Sequence, residues 1–265
     1  MIRRGGRCLL ACAVFLGALG RVGAQDSGLR TVHAFVALAD NQHQGIVPVP
    51  AKLGNGEDAE RNLYWGSAYG VKTFFGRSAD WERVSCREKP QAEILERCVF
   101  KHRASNTYLV ADAYRGIAIQ QAILDFLDAA SGDGAEVMNL PGASGTLKLP
   151  IRGGANLLAY IGHDGLMDFQ LSRLPRKKND GHRDAVVLAC ASKQFFAGPV
   201  RASGAYPLLW TTGLMAPEAY TLKSTLEGWI AGENGEQIRD RAAGAYDKYQ
   251  KCGFRGAHHL LVSGW

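Results

Sequence analysis

The chain has 265 residues, of which 46% are hydrophobic and 21% charged, with 32 glycines. This excludes a disordered chain, a collagen-like repeat and a coiled coil, and the length suits one large domain or two small ones. After residue 24 there is no run of 18 or more apolar residues of the kind a membrane-spanning helix needs.

The N-terminus is the first informative segment. Arg3, Arg4 and Arg7 precede an apolar run from Cys8 to Leu19, and Val22-Gly23-Ala24 supplies small residues for cleavage. The pattern predicts an export signal over residues 1–24, a mature chain from Gln25, and a periplasmic or secreted destination. The apolar run is short for a membrane anchor. The lipobox-like Leu9-Leu10-Ala11-Cys12 leaves little apolar chain before Cys12.

Removing 1–24 changes the charge argument. Lys plus Arg falls from 31 to 27 against 25 acids, so the formal +6 becomes +2. A near-neutral chain has no general footprint for phosphate backbones, and no nucleic-acid partner is expected. Arg173, Arg176, Lys177, Lys178 and Arg183 fall in a Pro/Asn/Gly-rich stretch and read as a solvated loop. Four cysteines remain, Cys86, Cys98, Cys190 and Cys252, with neither C-x-x-C nor zinc-ligand spacing. In an oxidising compartment Cys86 and Cys98, 12 apart, could close a small loop. Pairing of Cys190 with Cys252 is also open.

In chain order, Thr31 to Ala39 predicts a strand ending at Asp40-Asn41-Gln42-His43, followed by a Gly/Pro-rich loop. Asn62 to Phe75 predicts a helix. Residues 94–101 and 106–112 predict two strands, the second ending at Asp112. Gly116 to Ala130 predicts a helix with Ile119, Ile123, Phe126 and Leu127 on one stripe, stopped by Ser131-Gly132. Gly142-Ala143-Ser144-Gly145 fits neither a phosphate loop nor a serine-hydrolase elbow.

Further strands are expected at Ala155 to Gly162, Asp184 to Ala189 and Pro207 to Thr212. Pro217 then opens a helix with Leu222, Leu226, Trp229 and Ile230 inward, and another carries Ile238, Ala242, Tyr246 and Tyr249. His258-His259 precedes Leu-Leu-Val and marks a terminal strand. The alternation predicts an α/β fold, a mainly parallel sheet flanked by helices in three layers, as one domain over 25–265.

Two of these strands end in reactive side chains. Leu157 to Ile161 runs into Gly162-His163-Asp164-Gly165, and Ala185 to Leu188 runs into Ala189-Cys190. Both runs are continuously apolar, as buried parallel strands are, and ligands bind beyond the C-terminal ends of such strands. If the two are neighbours, an imidazole and a thiol emerge together. A thiolate is the nucleophile, and histidine can exchange its proton and later protonate a leaving amine. Glycines beside the histidine and the N–H of Cys190 are candidate donors to an oxyanion.

An apolar strand ending in His-Gly, followed by one ending in Ala-Cys, resembles the caspase, legumain and gingipain group of cysteine peptidases. Here it stands as Leu-Leu-Ala-Tyr-Ile-Gly-His163-Asp-Gly165 and Ala-Val-Val-Leu-Ala189-Cys190. The resemblance implies a caspase-like fold and a peptide or protein substrate. It also implies His163 as acid/base, Cys190 as nucleophile and Gly165 as part of the oxyanion hole. The family places glycine directly after histidine; this chain inserts Asp164, which could orient His163 or serve only the turn. Asp40, Asn41 and Asp112, at strand ends expected on the same rim, are the candidates for binding the side chain before the cut bond. An acid there would favour Lys or Arg.

The leading expectation is therefore an exported cysteine hydrolase without metal or cofactor. The alternative is a non-catalytic exported binding module with a degenerate caspase-like site. A metal site built from His163, Asp164, Asp168 and His182 lacks enforced ligand spacing.

Overall fold

The computed structural model describes residues 28–142 and 145–265. The expected leader, and Ala143 and Ser144, lie outside the described residues. An eight-stranded sheet is ordered β10-β9-β8-β7-β1-β4-β3-β2. Its strands, in chain order, are β1 (Arg30–Ala37), β2 (Trp81–Gln91), β3 (Ile94–His102), β4 (Thr107–Tyr114), β7 (Leu157–Ile161), β8 (Asp184–Leu188), β9 (Tyr206–Thr211) and β10 (Leu261–Val262). A separate hairpin pairs β5 (Glu136–Gly142) with β6 (Gly145–Ile151). The strands β4, β1, β7, β8 and β9 run parallel, while β2, β3 and β10 are antiparallel additions at the two edges.

Helices cover both faces, and the alternation along β1 shows how. Phe35 and Ala37 point toward α2 (Ile119–Ser131) and α3 (Ser192–Ser203), in a cluster with Phe126, Tyr160 and Phe196. Val32, Ala34 and Val36 point the other way, toward α1 (Val71–Gly76), α4 (Ala219–Ala231) and α5 (Gly235–Gln250). A strand buried on both faces must be apolar at every position, which is why the inner strands lack polar alternation. The α2 stripe Ile119, Ile123, Phe126 and Leu127 is buried as expected, and the helix stops at Gly132 with φ 87°. The last helix, α6 (Phe254–Leu260), precedes β10.

Several expectations differ from the structure for local reasons. Residues 62–70 are turns rather than helix, because the Asn62 side chain bonds the main chain of Ala39 through both its oxygen and its nitrogen. A Cβ on Gly66 or Gly70 would lie 2.0–2.5 Å from the backbone of Glu60, Ala59 or Trp65, so the chain folds back on itself there. β2 escaped the periodicity reading because it is an exposed, charged edge strand. The hairpin β5–β6 and helix α3, with Pro199 inside it, were not expected either. His258 and His259 lie on α6, and the terminal strand begins only at Leu261.

Cys86 and Cys98 stand directly opposite each other on β2 and β3 and form a disulfide, a cross-link that persists in oxidising compartments. Cys190 and Cys252 are both free thiols. No helix among the described residues is long and apolar enough to cross a membrane.

Asp112 does not end its strand: β4 continues to Tyr114, and Asp112 is fully buried. Its carboxylate takes Arg97 Nε at 2.5 Å and Nη2 at 2.6 Å, and His33 Nε2 at 3.0 Å. The main-chain N–H of Arg152 donates to His33 Nδ1 at 2.9 Å, so the ring proton sits on Nε2 and is given to Asp112. Burial alone would push the Asp112 carboxyl up. The Arg97 guanidinium and His33 outweigh it and hold the carboxyl at about 2.

The stability Asp112 contributes is present above its ordinary value of 3.8 and is lost as pH falls through about 2. Arg97→Met strands the carboxylate and is expected to cost ~3–5 kcal/mol at pH 7 in urea unfolding. That deficit should shrink in acid, where Asp112 is neutral. An unchanged unfolding midpoint at pH 7 would show that the pair does not hold these strands together.

Candidate active site

The sheet reverses direction at β1. The chain goes from β1 to β4 on one side, then returns to β7 on the other. Such a switch point opens a crevice beyond the strand C-termini. The register is tight: Val36 pairs with Ile161, and Ile161 with Leu188. The chain therefore leaves β7 and β8 side by side at one rim, two residues before His163 and two before Cys190.

A cavity of about 440 Å³ lies there, and both His163 and Cys190 line it. Its walls come from 45–49 after β1, from Leu63 and Tyr64, from Gly162, His163 and Met167, from 214–218 between β9 and α4, and from Gln250 on α5. A larger, more open groove of about 810 Å³ runs along 173–178. There Arg173 is paired with Asp128, Lys177 with Asp180 and Lys178 with Asp133, and the groove holds no nucleophile. The thiol and the imidazole both belong to the smaller cavity.

Each reactive group is held by named contacts. Gly162 has φ 152°, and a Cβ there would lie 2.9 Å from the carbonyl oxygen of Ala37, so only glycine lets β7 turn this close to β1. The Tyr160 hydroxyl donates to the His163 carbonyl at 2.7 Å. The imidazole Nε2 meets Asp168 Oδ2 at 2.6 Å, and that same oxygen accepts the Gly45 N–H at 3.1 Å. Asp168 thus ties the imidazole to the loop after β1.

On the neighbouring strand, Ser192 Oγ donates to the Val187 carbonyl at 2.9 Å and accepts the Thr211 N–H at 3.0 Å. Thr211 Oγ1 closes on the Ala189 carbonyl. These contacts lock the turn that carries Cys190. Ala191 has φ 47°, a left-handed conformation unfavourable for a residue with a Cβ, immediately after the thiol and before α3. The sulfur accepts the Met215 N–H at 3.4 Å, with the Met215 carbonyl at 3.6 Å. The N–H of Cys190 has no acceptor among the described residues.

The remaining sequence candidates sit elsewhere. Asp164 is buried; its Oδ1 accepts the Leu166 N–H at 3.0 Å, and its Oδ2 is sealed without a partner among the described residues. It caps a turn, and the group that contacts His163 is Asp168. The Gly165 N–H donates to the His163 carbonyl at 3.0 Å. A Cβ on Gly165 would press on Phe169 at 2.7 Å, so this glycine permits packing below the cavity.

Asp40 closes its own turn, accepting from the N–H groups of Gln42 and His43 and from His43 Nδ1. Asn41 exchanges two hydrogen bonds with Val49, stapling the loop whose far end forms a cavity wall. Asp40, Asn41, Asp112, Asp164 and Gly165 are not among the residues lining the cavity. His182 pairs with Asp184, away from His163.

Two lining residues carried no legible signal. Glu218 follows Pro217 and reads as a helix start; Tyr64 falls in the segment expected to be helical. Glu236, Asp240 and the half-buried His258 form a trio spaced for a metal ion, but Arg239 already contacts Glu236. Comparison of the chain with protein-family models, with curated proteins and with solved structures gives no match.

Burial pushes the Asp164 carboxyl up to about 7, with Asp168 adding to it against the turn's N–H groups. A raised carboxyl stabilises the fold below its ordinary 3.8, and this contribution is lost as pH rises through about 7. Asp164→Asn should therefore match the wild type at pH 3.5 and exceed its stability by ~2–4 kcal/mol at pH 8.5. Denaturant midpoints at the two pH values test this, and an equal difference at both would refute it.

Proposed function

We propose that the protein is an exported cysteine hydrolase that cleaves a peptide or amide bond through Cys190 assisted by His163. The observation that carries the reading is that a free thiol and an imidazole, delivered by adjacent parallel strands, line one cavity at the sheet's switch point. The resemblance to the caspase, legumain and gingipain group points the same way, as does the leader-like N-terminus.

The reaction balances with these groups alone. The Cys190 sulfur attacks the carbonyl carbon and its proton passes to His163. The C–N bond breaks and the amine leaves with that proton. Water, deprotonated by His163, then hydrolyses the thioester, releasing the acid and restoring the thiol. Asp168 holds the imidazole in one orientation throughout. The N–H of Cys190 supplies one donor to the oxyanion; Gly165, its N–H engaged by the His163 carbonyl, is not the second.

That occupied N–H favours a second reading, a binding module that keeps the fold without catalysis. Cys190→Ala separates the two. Under the hydrolase reading it abolishes hydrolysis of a fluorogenic peptide panel and labelling by an acyloxymethyl ketone. Labelling that survives the substitution refutes the nucleophile, and wild-type protein inert to both assays supports the binding module.

Asp168→Asn tests the positioning contact. It should lower kcat by roughly 100-fold with KM and melting temperature unchanged, on the precedent that triad carboxylates act through imidazole orientation. A rise in KM alone would move Asp168 from positioning to substrate binding.

A further inference from the structure

Among the described residues, Glu218 is the only Asp or Glu lining the cavity. It is 8% exposed, yet no Lys, Arg or His pairs with it among the described residues, although buried carboxylates are normally paired. Its Oε2 is fixed by the Tyr220 hydroxyl at 2.8 Å and the Gln250 amide at 3.1 Å. Its Oε1 has no partner among the described residues and is not sealed from solvent. The carboxyl is thus held through one oxygen, with the other in reserve.

The surroundings define what that oxygen would meet. Val49, Leu63, Met215 and Pro217 make an apolar sleeve, with Tyr64 in the wall. Tyr64, Cys190 and Glu218 line this one cavity, so an occupant can meet the sulfur and the carboxyl together. An apolar sleeve closed by an uncompensated acid suits an aliphatic stem ending in a cation.

We infer that Glu218 is the specificity determinant of the cavity and selects a substrate bearing a lysine or arginine side chain next to the bond attacked. The inference rests on the hydrolase reading for its reaction, but the cation site stands on geometry. Burial pushes the Glu218 carboxyl up, and a cation bound beside it would bring it back down. Asp40 and Asp112, the acids expected for this role from sequence, are held by His43 and by Arg97 with His33.

The test uses acyloxymethyl-ketone probes that differ only in the residue beside the electrophile: lysine, arginine or norleucine. Lysine and arginine probes should label Cys190 at least tenfold faster than norleucine, and Glu218→Gln should collapse that ratio toward one. Equal rates in the wild type overturn the Glu218 assignment and leave the hydrolase reading standing. If no probe labels the protein, the hydrolase reading falls and calorimetry with benzamidine decides the cation site. Binding to Cys190→Ala that is lost on adding Glu218→Gln upholds the site; no binding to Cys190→Ala overturns it.

Discussion

The pairing of Val36 with Ile161, and of Ile161 with Leu188, sets where His163 and Cys190 fall. Because β1, β7 and β8 are parallel and in register, their chains leave the sheet at one level. A slip of one residue would turn each side chain to the opposite face. Double-sided burial holds the register: Phe35 and Tyr160 pack with Phe126 and Phe196 on one side, while Val36 and Ile161 pack into the other layer. The placement of His163 and Cys190 is therefore a product of core packing and owes little to the loops that carry them.

The buried acids of this fold fall into two kinds. Asp112 is matched by Arg97 and His33 and holds its charge firmly. Asp164 and Glu218 have no cationic partner among the described residues, and burial pushes both carboxyls up. Their settings nevertheless differ. One oxygen of Asp164 is sealed below a turn, whereas Glu218 borders the cavity. Charge matching and access to the cavity together separate a structural acid from one with capacity for a ligand, a distinction that residue type alone does not draw.

The inner strands and the main helix stripes were legible because double-sided burial forces unbroken apolar runs and covering helices force a 3.6-residue stripe. The two strand-end residues, His163 and Cys190, were legible for the same reason. Edge strand β2 was not, since only Trp81 of its eleven residues is buried and five are charged. The turns over 62–70 were hidden because Asn62 and two close-packed glycines, rather than any periodicity, set the path. The assignment of Asp40, Asn41 and Asp112 to a pocket followed from strand ends, and chain order could not reveal that each side chain already has partners. The settings of Asp168 and Glu218 depend on contacts with segments distant in sequence, at Gly45 and Gln250, and not on local pattern.

The stapling of residue 41 to residue 49 has an evolutionary corollary. The proposed reacting pair hangs on strand register, whereas the enclosing walls hang on two connections, one after β1 and one between β9 and α4. Insertions or exchanges in those connections can re-cut the receptor while the thiol and imidazole stay in place. Descendants of this scaffold are thus free to diverge in what they accept long before they diverge in chemistry.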